Sequence, residues 1–340
     1  MSVPVLTIAI PTYNRPDELA RTLSVILPQL KNDDRVYLLI IDNHSKKSAS
    51  AVLESLSMEV PEGQIQVLRN NINIGGNANI MRCFEMCETE WIWVLGDDDA
   101  PSPDALKVIL RDVQMGHSFG FYAVPQIQKP VFKENEPARV FGDDFKTLIF
   151  RYGSSKLEIS FLSAAVLNMN AIRPYIIDGY LSANTGLPHL VMVFKALSAG
   201  SKWMISRDVI ADYCPPQEGK GWGFMTFVFT TPTLLGLAAS CAEVREIKDI
   251  MVKGWRPSPK KILYSLVSKY GSDPRAVADM YYLFKMAKHI YAPSWREDLM
   301  LCLRWNITSV LVFFPNRFLE KYQKKKEGKA RINLDNETRR

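Results

Sequence analysis

From residue 5 to residue 124 the chain repeats one pattern: a short apolar run, a polar break, then apolar residues at helical spacing. Apolar runs this short and this continuous are expected of strands buried on both faces. Strands alternating with helices at such intervals predict an α/β fold, a mostly parallel sheet with helices on its faces. The first run, Val5–Ile10, ends at Pro11-Thr12-Tyr13-Asn14. Asn14 is expected to cap the next helix, with Pro16 in its first turn and Asp17 and Glu18 at its positive end. Leu19, Leu23, Ile26, Leu27 and Leu30 then form one apolar stripe. Further strands are expected over Val36–Ile41, Ile65–Leu68, Trp91–Leu95 and Phe119–Val124.

Beyond residue 124 the pattern loosens. Residues 126–155 are polar and contain Pro, which predicts a long excursion over the surface. Ile159–Leu167 is apolar again, a helix over Leu190–Ser198 is expected to stop at Gly200, and Trp203–Ile205 and Val209–Ala211 read as short strands. From about Phe224 long amphipathic helices replace strands. The expected organisation is therefore an α/β domain over residues 1–220 and a helical region over 221–340, a division that 340 residues accommodate.

Cellular setting is read from charge and cysteine. A 47% hydrophobic, 23% charged chain is not disordered throughout. Its five cysteines are odd in number and include no CxxC pair; Cys83 and Cys87, four apart on a helical stretch, point to core packing and a reducing cytoplasm. Val3–Ile10 runs into a polar turn without the marks of a signal peptide, and Leu299–Phe314 is interrupted by Arg304 and Asn306, so neither is expected to enter a membrane. Pro315–Arg340 holds nine Lys/Arg against four Asp/Glu within a net charge of +6. That end reads either as a solvated terminus or, with the aromatic helices before it, as a peripheral contact with anionic lipid on the inner face of the membrane. A nucleic-acid partner is not expected.

The chemistry gathers at the strand ends. Asp97-Asp98-Asp99 follows a buried strand, and open α/β sheets bind ligands at that edge. Three adjacent carboxylates repel one another unless a cation joins them, and Mg²⁺ or Mn²⁺ takes one or two carboxylates together with substrate phosphates. Capping of the next helix is the plainer alternative. Pro11 and the Thr12-Tyr13-Asn14-Arg15 turn, Asp42, and the Asn73-Ile74-Gly75-Gly76-Asn77 loop are expected at the same edge. Asp42 can accept from a base N–H or a ribose hydroxyl, and Gly75 and Gly76 let backbone approach a ligand closely. Around Trp222 a Gly-rich stretch reads either as a mobile lid, with Trp222 stacking on a sugar, or as a linker.

Taken together, Leu6–Arg15, Ile40–Asn43, Asn73–Asn77 and Trp91–Asp99 with Pro103-Asp104 behind resemble the family 2 glycosyltransferases of the GT-A fold. The Trp-Ile-Trp-Val-Leu-Gly-Asp-Asp-Asp form is similar to their bacterial abequosyltransferase-like polysaccharide branch. The resemblance implies a GT-A sheet and an inverting, metal-dependent transfer from a nucleotide-sugar donor. It places Asp98 and Asp99 on the metal, and Asp97 beside the donor with the turns already named. Two departures stand out. Where relatives often read Asp-x-Asp-Asp, Gly96 falls on the first Asp. Where they often carry a Glu-Asp pair whose Asp is the general base, this chain reads Thr185-Gly186-Leu187-Pro188-His189-Leu190. His189 is the substitute expected there, and Asp178 its rival. The acceptor implied is a saccharide, expected to be polyprenyl-linked, in surface-polysaccharide assembly. A non-catalytic nucleotide-sugar-binding or scaffold protein with a degenerate site is the alternative. A nucleotidyltransferase fits less well, because Ala9–Asn14 lacks a Gly-rich triphosphate loop with basic residues.

Overall fold

A computed structural model describes residues 4–31, 33–56, 63–125, 137–144, 147–148, 158–183 and 187–214, and all of them fall within one unit of the chain. Trp222, the helical region expected over 221–340 and its basic end lie outside the described residues. Among the described residues no helix is long and apolar enough to cross a membrane.

Within the described residues ten strands and seven α-helices follow in order. The first half reads β1 (Leu6–Thr12), α1 (Pro16–Leu30), β2 (Val36–Asp42), α2 (Ala49–Ser55), β3 (Ile65–Arg69), α3 (Gly76–Glu85) and β4 (Trp91–Val94). After it come β5 (Ala100–Pro101), α4 (Ala105–Asp112), β6 (Phe119–Tyr122), β7 (Arg139–Gly142) and β8 (Ala165–Asn168). The last described elements are α5 (Met169–Ile172), α6 (Ile176–Leu181), α7 (Pro188–Ser198), β9 (Trp203–Ser206) and β10 (Ala211–Asp212).

Eight strands form one sheet in the order β3-β2-β1-β4-β8-β6-β9-β7. The first four are parallel, so their carboxyl ends share one edge. β8 runs antiparallel to both β4 and β6, β9 is parallel to β6, and β7 closes the far side antiparallel to β9. This is the expected mostly parallel α/β sheet. Alternation along the strands sends Leu6, Ile8 and Ile10, with Leu38, Ile40 and Trp93, into a core shared with α1, α2 and α4. Each such side chain contributes about 1.5–3 kcal/mol on leaving water. The other face of the sheet meets α3, which in turn packs on α6 and α7. Cys83 and Cys87 are buried free thiols, as core packing predicts.

Local departures from the expected elements have physical causes. Asn14 does not cap α1. It adopts a left-handed φ of 54°, Arg15 takes the N-cap position without a side-chain cap, and Asn14 Oδ1 accepts from the Lys46 N–H instead. A residue ahead of Pro is held out of helical geometry, which moves the boundary to Arg15. The expected excursion over 126–155 contains β7, a four-residue strand ending in Gly142 and too short to show an alternating pattern. Gly142 is fixed by crowding, since a Cβ there would run into the Trp203 ring. Arg139 on β7 pairs with Asp112 and Asp208, which ties the strand to the end of α4. α7 ends as expected, with Gly200 at φ 89° just past it.

Candidate active site

The parallel quartet sets its turns side by side, and polar contacts stitch them together. The Asn43 N–H donates to the Thr12 carbonyl at 2.9 Å, and the Asn14 N–H donates to Ser45 Oγ at 2.9 Å. Asn43 Nδ2 donates to Asn73 Oδ1 at 2.8 Å, while Asn43 Oδ1 accepts from Asn70 Nδ2 and the Ile74 N–H. Asn73 Oδ1 also accepts from the Gly75 N–H, and Gly75 takes a φ of 88° that a side chain would strain. Asn77 Nδ2 donates to the Ala183 carbonyl at 2.6 Å, linking α3 to the end of α6. Tyr13, Asn14, Asn73 and Gly75 remain exposed around this edge, with Pro11 and Asn77 partly so.

Asp42 is deeper than a ligand contact would suggest. Its side chain is 1% exposed; Oδ1 accepts from the Ser45 N–H at 2.7 Å, and Oδ2 from the Ala49 N–H at 3.2 Å and Arg69 at 2.6 Å. Arg69 also donates to the Ser45 carbonyl, and its side chain is 40% exposed. The carboxylate therefore shapes its own turn, and the guanidinium beside it faces solvent.

The three acidic residues divide their contacts. Asp97 is nearly buried; Thr12 Oγ1 donates to its Oδ2 at 2.7 Å and Arg15 to its Oδ1 at 2.9 Å. The same Arg15 nitrogen donates to Asp98 Oδ2 at 2.7 Å. Asp99 Oδ2 accepts from Ser163 Oγ at 2.5 Å, and Ser163 Oγ accepts from the Gly96 N–H at 2.9 Å. Thr22 on α1 donates to the carbonyls of Asp97 and Asp99. Burial pushes the Asp97 carboxyl up to about 6, against the pull of Arg15 and Thr12. Burial likewise pushes Asp99 up to about 7, with Ser163 opposing and Asp98 adding to the rise. A Cβ at Gly96 would stand 2.6 Å from Asp99 Oδ2, so a side chain there would displace the Asp99 carboxylate from its present position.

A divalent cation fits this donor set chiefly through Asp98. Among the described residues no three His, Cys, Asp or Glu side chains form a ready metal cage. Asp98, however, is 28% exposed, whereas burial raises the pKa of the Asp97 and Asp99 carboxyls. Arg15 stands where such an ion would be needed. One exposed carboxylate completed by diphosphate oxygens and water is a usual way to hold Mg²⁺ or Mn²⁺.

His189 lies in the first turn of α7, 3% exposed. Neither ring nitrogen completes a hydrogen bond within the described residues, and burial pushes its pKa down to about 4, opposed only weakly by the Ser160 backbone. The imidazole is thus neutral at ordinary pH. Residues 160–163 run from that ring to Asp99, since Ser160 borders His189 and Ser163 binds the carboxylate. Asp178 on α6 is paired with Lys195 of α7 at 2.6 Å, and no described hydrogen bond links it to the acidic motif.

Three residues of the site are not evident from the sequence: Thr22, Ser163 and Arg69. Thr22 carried a signal, a hydroxyl set at a buried position within the apolar stripe of α1. Ser163 and Arg69 carried none, because only strand pairing brings Ser163 to Asp99 and Arg69 to Asp42.

Residues 7–173 match the description "Glycosyl transferase family 2". Over 105 residues the chain is 27% identical to abequosyltransferase RfbV of Salmonella typhimurium, covering 31% of this chain and 31% of that one. Over 114 residues it is 28% identical to the undecaprenyl-phosphate 4-deoxy-4-formamido-L-arabinose transferase of Pseudomonas fluorescens, covering 33% of each. These matches span about a third of the curated relatives' length. In fold it is similar to the mannosyltransferase PcManGT of Pyrobaculum calidifontis, solved with GDP-Man and Mn²⁺. The TM-score is 0.53 at 13% identity, covering 98% of this chain and 88% of that one.

Proposed function

Since residues 7–173 match glycosyl transferase family 2, we propose that the chain transfers a sugar from a nucleotide-sugar donor to a saccharide acceptor with a divalent cation at Asp98. The observation that carries this is the edge shared by four parallel strands, where the partly exposed Asp98 pairs with Arg15 of the Thr12–Arg15 turn, which is bonded to the Asp42–Ser45 turn and through Asn43 to Asn73. Pro11, Tyr13, Asn14 and Arg15, with Asn73, Gly75 and Asn77, surround base and ribose; Asp42 acts by fixing that turn, and Asp97 by orienting Arg15. Asp98 is the principal metal contact, with Asp99 second. The cation, Mn²⁺ or Mg²⁺, offsets charge on the departing diphosphate.

Inversion follows from attack opposite the leaving group by an acceptor hydroxyl. The relative named for undecaprenyl phosphate supports a polyprenyl-linked acceptor, and the abequosyltransferase a role in surface-polysaccharide assembly. In this reading residues 1–220 supply donor binding and chemistry, and 221–340, which include Trp222, contribute to recognition of the sugar, acceptor or membrane. The test is a panel of nucleotide sugars with and without Mn²⁺ or Mg²⁺, reading nucleoside diphosphate release in the presence of lipid-linked saccharide. Turnover with one donor that stops on chelation is the expected result. Tight donor binding without turnover for any acceptor would favour the binding-protein alternative.

We assign the base to His189, because its neutral imidazole borders Ser160 at the head of the 160–163 segment whose Ser163 binds Asp99, whereas Lys195 already holds Asp178. His189→Gln is expected to lower kcat by about 10²–10⁴ with donor affinity unchanged. A base that protonates near pH 4 keeps its role throughout neutrality, so its own contribution should be lost only as pH drops toward that value, below the range in which Asp97 and Asp99 take up protons. Full activity in His189→Gln with collapse in Asp178→Asn would transfer the role to Asp178.

A further inference from the structure

We propose that Arg15 is the resident counter-cation of the acidic motif, holding the divalent ion's place until a nucleoside diphosphate arrives, so that metal and donor enter together. The inference rests on the donor and metal reading above and adds an order to it. A single guanidinium nitrogen lies 2.9 Å from Asp97 Oδ1 and 2.7 Å from Asp98 Oδ2, so a cation already sits on the carboxylate that the metal needs. Guanidinium and dication compete for Asp98 and repel each other, so both cannot occupy it.

The geometry also provides an exit. Arg15 sits at the exposed turn before α1 with its side chain 25% exposed, so it can leave without disturbing the core. Thr12 Oγ1 keeps its separate 2.7 Å bond to Asp97 Oδ2, which holds that carboxylate in place once Arg15 has gone. A diphosphate draws Arg15 away, because guanidinium pairs well with phosphate oxygens, and at the same time offers the metal its missing ligands. Metal and nucleotide binding are then positively coupled, and reciprocally so.

The test is Mn²⁺ titration of the full chain, reading the free-ion EPR signal, alone and with UDP, GDP, CDP or dTDP. Wild type is expected to bind Mn²⁺ weakly alone and at least about tenfold more tightly with the matching diphosphate. Arg15→Gln should bind Mn²⁺ alone at least about tenfold more tightly than wild type, about 1.4 kcal/mol, with the coupling to nucleotide reduced. Arg15→Lys, which keeps the charge, should stay close to wild type. Mn²⁺ alone should raise the thermal midpoint of Arg15→Gln and hardly that of wild type; Arg15→Met serves as a second neutral replacement. No tightening in either neutral variant, or equal tightening in Arg15→Lys, would overturn the counter-cation role and leave the transferase reading standing. Absence of Mn²⁺ binding to any protein with any diphosphate would sink the metal reading, and this inference with it.

Discussion

Asp98→Ala is expected to lower sugar transfer by about 10³-fold or more while leaving the fold intact. The size follows from what the cation does. Stabilising charge on the leaving diphosphate is worth several kcal/mol, and each 1.36 kcal/mol is about tenfold in rate. The intact fold follows from the structure. Asp98 is partly exposed, its described partner is Arg15, and Arg15 keeps Asp97 when Asp98 is removed. Asp98→Asn is the stricter variant, since it keeps the shape and removes the charge. Transfer rates would be measured beside Mn²⁺ affinity in the presence of nucleoside diphosphate, and both should fall together. A variant that kept near wild-type turnover in excess Mn²⁺ would remove the metal from Asp98.

The second large effect is on stability. Asp42→Ala should destabilise the protein by about 2–4 kcal/mol, measured as a fall in the urea midpoint at unchanged slope. The substitution leaves the Ser45 and Ala49 amides without their acceptor and Arg69 without its partner. Arg69 is partly open to water, which softens the loss of the pair and keeps the cost below that of a fully buried one. Asp42→Asn, which keeps one acceptor, should cost less. Nucleotide affinity should drop as well, through the loosened turn. If stability were unchanged and affinity alone suffered, the carboxylate would be contacting the nucleotide rather than shaping its pocket.

The parallel half of the fold was legible because both faces of β1, β2 and β4 are covered. These three appear in the sequence as largely apolar runs, β3 at the sheet edge is a mixed Ile-Gln-Val-Leu-Arg, and the ends of all four lie within a residue or two of those expected. The second half was harder to read for the same physical reason in reverse. β7 and β10 are two to four residues long and owe their place to neighbours far along the chain rather than to their own pattern. The site divides similarly. The acidic run and the turns announced themselves by residue type, but the partition of labour among Asp97, Asp98 and Asp99 is set by Thr12, Arg15, Thr22 and Ser163. Asp42 shows the limit from the other side: a carboxylate at a strand end reads alike whether it faces a ligand or its own turn.

The strand order β3-β2-β1-β4 has a consequence for how the molecule assembles. β2 and β3 join β1 in sequence, yet Asp97 meets Thr12 across 85 residues, only when β4 docks on the free edge of β1. Closing that loop is costly in chain entropy, and such distant contacts form late. A nascent chain that has not yet delivered β4 thus carries Arg15 without its acidic partners, and a truncation ahead of Trp91 can never provide them. The contacts of Asp97 and Asp98 with the Thr12–Arg15 turn therefore appear in a single step with β4 rather than accumulating strand by strand.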